Sequence, residues 1–335
     1  MVCSSARFAG TAVLVALSFT YLTAGAQQQA PATSAQDSAA PAQSAPASPA
    51  ATAPVFPAPD PVDFTASTPT KEVVNTFMQV NLGWDEANMF QVQAIQKTQV
   101  EGISKVTVLV GDRTGKQQPY RFAFFTTADG KHMIVGERIV AFGEHPFADY
   151  RSILQQRATG PYRGAASKDL ELVEFADFQC PHCKAAQPNM EKLLADFPKA
   201  RIVFQNDPIG AIHPQATIAA AYGECVTKQG GSTAFFQFSA AVFDGQDGLN
   251  TADGATLTLN SAVTKAGLDP AKIAACAATP ETKAAVDASV RLASDVNIAS
   301  VPALLINGRQ VPANTPYDTL KKIIEYQAKL DGVTQ

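Results

Sequence analysis

The stretch Phe175-Ala176-Asp177-Phe178-Gln179-Cys180-Pro181-His182-Cys183 sets two cysteines three positions apart, behind an apolar strand and ahead of a helix. At a helix start the first sulfur lies among unpaired backbone N–H groups, at the positive end of the helix dipole. Those groups favour a thiolate. His182, between the cysteines and donating or positively charged near neutral pH, adds to that stabilisation. The pair therefore reads as a redox-active disulfide. Two other uses of the spacing stay open, a zinc site and a purely structural disulfide. Zinc needs two further ligands, and the chain has no second Cys-x-x-Cys and no closely spaced histidine pair. A structural disulfide explains neither His182 nor the position of the pair at a helix start.

Working outward, residues 170–175 read as an apolar strand, 180–197 as a helix and 201–205 as a second strand, which is a βαβ start. Helical patterns follow at 213–228, 233–243, 255–266 and 281–294, punctuated by Gly and Pro. A strand at 303–306, the turn Asn307-Gly308, a short partner strand and a helix at 316–330 complete the order. His213-Pro214 opens the first of these helices and is read as a cap or packing position. Upstream lies a small α+β unit. Thr68 is its expected N-cap, Pro69 the first helical residue, and Val73, Val74, Phe77 and Met78 the apolar face, with Gly83 ending the helix. Strands are expected at 90–98, 105–110, 120–127 and 132–142, with Asp129-Gly130 closing a hairpin. A helix at 147–157 and a polar connector at 159–168 lead into the motif. His132 and His145 have no second ligand at metal spacing and are read as surface or hairpin residues.

The 335 residues carry 46% hydrophobic residues, enough for a sizeable core, and a net charge of −4 offers no footing for nucleic acid or an acidic membrane surface. Arg7 precedes an apolar run at 11–22, and Ala24-Gly25-Ala26 supplies small residues, so residues 1–26 read as a signal peptide cleaved after Ala26. An uncleaved anchor is the alternative, although the run is short for a bilayer span. Cys3 would leave with the signal and has no lipobox-like context. Residues 27–67, mostly Ala, Pro, Ser, Gln and Thr, read as a disordered tether that cannot bury enough surface to fold. Four cysteines then remain in an oxidising setting. Cys225 and Cys276 are either a structural disulfide or two free buried thiols.

Cys180-Pro181-His182-Cys183, Pro188, and Val301-Pro302-Ala303 followed by an apolar strand and Asn307-Gly308 together resemble the DsbA-like branch of the thioredoxin superfamily. The resemblance covers about residue 170 to the C-terminus. It implies an α/β fold, thioredoxin-like with a helical insertion at about 207–300, in a domain spanning 168–335. The small α+β domain at 68–158 and the tether precede it. It also implies that Val301-Pro302 is cis and faces the cysteines, with the Val301 backbone binding an extended substrate and Pro302 forming the wall of the site. Cys180 is then the attacked sulfur and Cys183 the resolving one, with Pro181 and His182 tuning them. Glu174 resembles the buried acid of these enzymes, a proton relay for Cys183; an acid at a strand end pointing to water is the other reading.

The activity implied is that of an exported protein thiol-disulfide oxidoreductase, periplasmic or otherwise extracytoplasmic. It would introduce disulfides into cysteine-containing exported proteins, need no cofactor or metal, and be reoxidised by a membrane redox partner. One rival is an isomerase or reductase, since the N-terminal unit resembles in outline the dimerisation modules of periplasmic isomerases and would make a homodimer. The other is a peptide-binding holdase with a secondary disulfide. Pro181-His182 and Val301 resemble the oxidase branch.

Overall fold

The computed structural model describes residues 56–333 apart from 116, 137, 313 and 314. The expected signal peptide, Cys3 and the tether up to residue 55 lie outside the described residues. Two five-stranded sheets organise the rest.

The first α-helix is α1 (Lys71–Leu82), capped by Thr70, whose hydroxyl accepts from Val73 N at 3.3 Å. The cap is thus two residues later than expected. Pro69 follows a cis peptide bond and precedes the helix instead of opening it. Val74, Phe77, Met78 and Leu82 recur on one face of the helix and bury it against the first sheet. That sheet is an antiparallel meander of β1 (Asn88–Lys97), β2 (Ser104–Asp112), β3 (Tyr120–Thr126), β4 (His132–Val135) and β5 (Arg138–Ala141). The single strand expected at 132–142 is two strands, with Val135 paired to Arg138. Gly136, at φ 57°, supplies the left-handed residue that the reversal needs. The tether also ends earlier than its composition suggests. Phe64 bridges Ile95, Ala66 N donates to Ile95 O at 3.0 Å, and Thr65 accepts from Lys97 N at 3.0 Å. Phe64 and Ala66 pack on the core of this unit, which is enough to lay the end of a polar segment along β1.

Helix α2 (Ala148–Arg157) leads to the second sheet: β6 (Tyr162–Gly164), β7 (Glu171–Ala176), β8 (Arg201–Asn206), β9 (Ala303–Ile306) and β10 (Arg309–Val311), in the order β10-β9-β7-β8-β6. β7 and β8 are parallel and buried at every residue, as a strand pair covered on both faces must be. The expected connector at 159–168 instead contributes the edge strand β6. The Arg201 guanidinium stacks 3.3 Å from the Tyr162 ring centroid, and Gly164, at φ +83°, lets the chain come so close that an added Cβ would lie 2.1 Å from Ala200 O.

Helix α3 (Pro181–Asp196) crosses between β7 and β8. The helical insert is α4 (Ala216–Asp244), α5 (Ala252–Lys265), α6 (Pro270–Ala277) and α7 (Pro280–Asp295), and α8 (Tyr317–Leu330) closes the chain. The two helices expected at 213–228 and 233–243 run together as α4, with a break at Gly231 (φ 71°, ψ −171°). Helix α6 was not expected, although its signal was present: Asp269 accepts from Ala271 N, and Pro270 occupies the first turn. Phe178, just before the cysteines, stacks on Phe204 and meets Phe235, Phe238 and Phe243 of α4, so the motif is cemented to the insert through aromatic rings.

The α+β unit is docked on the second sheet through Arg309 of β10. The side chain is 6% exposed; Nε donates to Gln327 Oε1 at 2.8 Å, Nη1 to Asn81 O at 3.3 Å, and Nη2 to Val80 O. Those carbonyls belong to the last turn of α1, where the helix dipole favours a cation.

Cys225 and Cys276 form a disulfide between α4 and α6, with a sequence separation of 51. Closing a loop of that length removes unfolded-state entropy worth about 4 kcal/mol in the chain-entropy model, with measured values commonly nearer 2–4. The double variant Cys225→Ala, Cys276→Ala is expected to lose about 2–4 kcal/mol in urea denaturation. It should keep its reactivity at Cys180.

Candidate functional site

The site begins where β7 stops. Asp177 turns the chain: its Oδ1 accepts from Gln179 N at 2.7 Å and its backbone carbonyl from Cys180 N at 3.1 Å. Cys180 is the N-cap of α3 with extended backbone, Pro181 fills the first helical position, and the Cys180 carbonyl accepts from Cys183 N and Lys184 N at 3.1 and 3.2 Å. The 3.6-residue turn then separates the two sulfurs by depth. Cys180 is 5% exposed, Cys183 is fully buried, and His182 and Pro181 face solvent. Both cysteines are free thiols here.

The opposite wall comes from β9. Phe175 of β7 is in register with Ala303, so the residues preceding Ala303 run on beside the cysteine loop. Val301-Pro302 is a cis peptide bond, and the Cys180 thiol donates to the Val301 carbonyl at a long 3.8 Å. Two pairs far apart in sequence, Cys180 with Cys183 and Val301 with Pro302, thus meet at one end of the sheet.

Glu174 is 3% exposed and does not point to water. It sits on β7, paired across Leu304 and Phe204, and burial pushes its carboxyl up to about 7, opposed by a hydrogen bond that Gln187 Nε2 donates at 2.8 Å. Burial also pushes the Cys183 thiol well above the usual thiol range; the Asp177 N–H, donating to Cys183 Sγ at 3.4 Å, works in the other direction. A small, shallow cleft runs beside Pro302, lined by Glu174, Asn189, Met190, Leu304 and Leu320 among others.

Several residues of the site carried no legible signal. Gln246, 66 residues beyond Cys180, donates through Nε2 to Phe178 O at 2.8 Å and Cys180 O at 3.0 Å. Gln179 reaches back, donating to Leu249 O at 3.0 Å and accepting from Gln215 N at 2.8 Å. A glutamine in a helical insert is unremarkable in sequence; only the fold brings it to the loop. His213, read as a cap or packing residue, directs its ring at Asp177 at 2.8 Å. Among the described residues no group of three His, Cys, Asp or Glu side chains could hold a metal.

The model of the thioredoxin family designated Thioredoxin_4 matches residues 156–326, just over half of the chain. The chain belongs to this thioredoxin family. Its curated relatives include the Na(+)/H(+) antiporter NhaA 1 of Salinispora arenicola, 30% identical over 44% of this chain and 22% of that protein, and NhaA 3 of Salinispora tropica, 36% identical over 27% and 14%. The chain thus spans less than a quarter of those antiporters. The probable disulfide bond formation protein D of Bacillus cereus is 25% identical over 50% of this chain and 77% of that one. Among solved structures, the thiol-disulfide exchange protein alpha-DsbA2 of Wolbachia pipientis is 21% identical, covering 53% of this chain and 96% of its own at a TM-score of 0.46. The thioredoxin family thereby accounts for the second sheet, α3 and the helical insert, and leaves the α+β unit outside the match.

Glu174 yields a pH test. Its folded value of about 7 stands above the ordinary 4.5, so the folded chain holds a proton that the unfolded chain has released between those values. Stability therefore falls as pH rises from 4.5 to 7 and is level beyond. Glu174→Gln removes that loss and is expected to be more stable than the parent at pH 8 by about 3 kcal/mol, with the difference vanishing near pH 4.5. Urea titrations of the dithiol form at pH 4.5, 6 and 8 read it; a difference independent of pH would refute the assignment.

Proposed function

We propose that the chain is an exported thiol-disulfide oxidoreductase that donates disulfides to cysteine-containing proteins. The observation that carries this reading is the Cys180 thiol set against the carbonyl of Val301, ahead of cis Pro302, with Cys183 buried one turn deeper. The likeness to a probable disulfide bond formation protein supports it.

In the oxidised protein a substrate thiolate attacks Cys180 Sγ. The Cys180–Cys183 bond breaks, its electron pair goes to Cys183 Sγ, and Cys183 takes up a proton, as its burial favours. Glu174, with a carboxyl near 7 in the cleft beside Pro302, supplies that proton. A second substrate thiolate attacks the substrate sulfur of the mixed disulfide. Cys180 leaves as a thiolate at the start of α3, the positive end of its dipole. The substrate loses two electrons and the protein gains two, which a membrane redox partner would remove. Val301 presents backbone groups to an extended substrate segment, and Pro302, lacking an N–H, shapes the wall beside it. His182, exposed between the sulfurs, faces the incoming thiol.

Direction is tested by equilibrating the protein with glutathione buffers, then comparing oxidation of a reduced substrate with repair of a scrambled one. The expected result is an oxidising potential and faster oxidation than repair; a potential near that of thioredoxin without oxidase activity would sink the reading. Cys183→Ser is expected to accumulate mixed disulfides at Cys180, seen as thiol-sensitive adducts by mass spectrometry, whereas Cys180→Ser should form none.

A further inference from the structure

Asp177 joins the entry loop of the helical insert to the buried sulfur. Its side chain, fully buried, is held on every oxygen: Oδ1 by Gln179 N at 2.7 Å, and Oδ2 by Ile209 N and His213 Nδ1, each at 2.8 Å. Ile209 and His213 lie on the loop that enters the helical insert, between β8 and α4. The backbone N–H of the same aspartate points the other way, to Cys183 Sγ at 3.4 Å. One residue therefore carries the position of the insert's entry loop to the buried sulfur. The His213 ring does not cap α4, whose first residues receive no side-chain hydrogen bond, so capping does not account for it.

We propose that Asp177 and His213 are a positioning pair for disulfide exchange, in which His213 fixes the Asp177 carboxylate so that the Asp177 N–H stays aimed at Cys183 Sγ. This rests on the oxidoreductase reading above. When a thiolate attacks Cys180 and the disulfide opens, the electron pair arrives on a sulfur with no access to water. A hydrogen-bond donor held at that sulfur stabilises the charge before it is protonated, against the burial that disfavours a thiolate there. A donor free to drift would lose much of that effect, because hydrogen-bond strength falls steeply with geometry. Asp207, the half-buried acid that follows on the entry loop, is tied by its backbone N–H to Ala176 O at 2.9 Å, and desolvation and the charge of Asp177 push its carboxyl up to about 6.

The test uses the full-length oxidised protein as wild type, His213→Ala, His213→Asn and Asp177→Asn. Excess reduced glutathione opens the disulfide, and the rate is followed by alkylation of the released thiols; the equilibrium with glutathione and the urea midpoints of both redox forms are measured alongside. His213→Ala is expected to open about tenfold more slowly, as for a weakened hydrogen bond to a charged acceptor, and to re-form the disulfide more slowly by a similar factor, because both directions pass through the Cys183 thiolate. His213→Asn, whose Nδ2 takes the place of Nδ1, should recover most of both. Asp177→Asn keeps the side-chain volume but loses one of the acceptor oxygens, and should slow opening as well. Wild-type rates in His213→Ala or Asp177→Asn would overturn the proposal, as would equal defects in His213→Ala and His213→Asn. A purely structural role would lower the urea midpoints of both forms alike and leave the rate of opening unmoved, which also overturns it. A wild-type protein that glutathione does not open would instead refute the oxidoreductase reading itself.

Discussion

The antiparallel register of β7 on β9, with Phe175 facing Ala303, is the constraint on which the rest of the molecule depends. A strand that ends at Ala176 and one that begins at Ala303 leave their flanking residues side by side. Cys180 and Val301 meet because the ladder between them allows no other arrangement. A slip of one residue would exchange the faces on which Glu174 and Phe175 lie and lose the alignment of the loop. The cost of such a slip is large, since β7 is buried at every position and also paired on its far side with β8.

What could be read from the sequence was local. The cysteine pair, its proline at the first helical position and the Asn307-Gly308 turn are defined by neighbours in the chain; Asn307 and Gly308 both take positive φ, as such a turn demands. The helix pattern of α1 and the apolar run of β7 were legible for the same reason. Gln246 and His213 were not, because their meaning lies in partners 66 and 36 residues away. Strand β6 was hidden by its small length and by a Gly that reads as a breaker until Ala200 is seen beneath it. The cis form of Val301-Pro302 came from family resemblance alone; composition and spacing say nothing about it.

The helical insert is not simply an appendage to the sheet. Gln246 holds the carbonyls of Phe178 and Cys180, Phe178 is enclosed by rings of α4, and the entry loop holds Asp177. The reactive loop is thus supported chiefly by side chains from a region inserted between β8 and β9. Such support restricts the loop to one geometry without adding any group that reacts.

Arg309 has a consequence for the modularity of the chain. Its guanidinium neutralises carbonyls at the end of α1, packs on Phe147 at 4.4 Å, and is held by Gln327 within the thioredoxin-like half. Trp84, just after α1, packs against the core that α3 and α8 form on one face of the second sheet. A shorter protein starting after β5 would therefore inherit a stranded cation and a bared apolar patch at the edge of its sheet. Transfer of the thioredoxin-like half onto other partners would require new residues at this seam, to cover the patch and pair the cation.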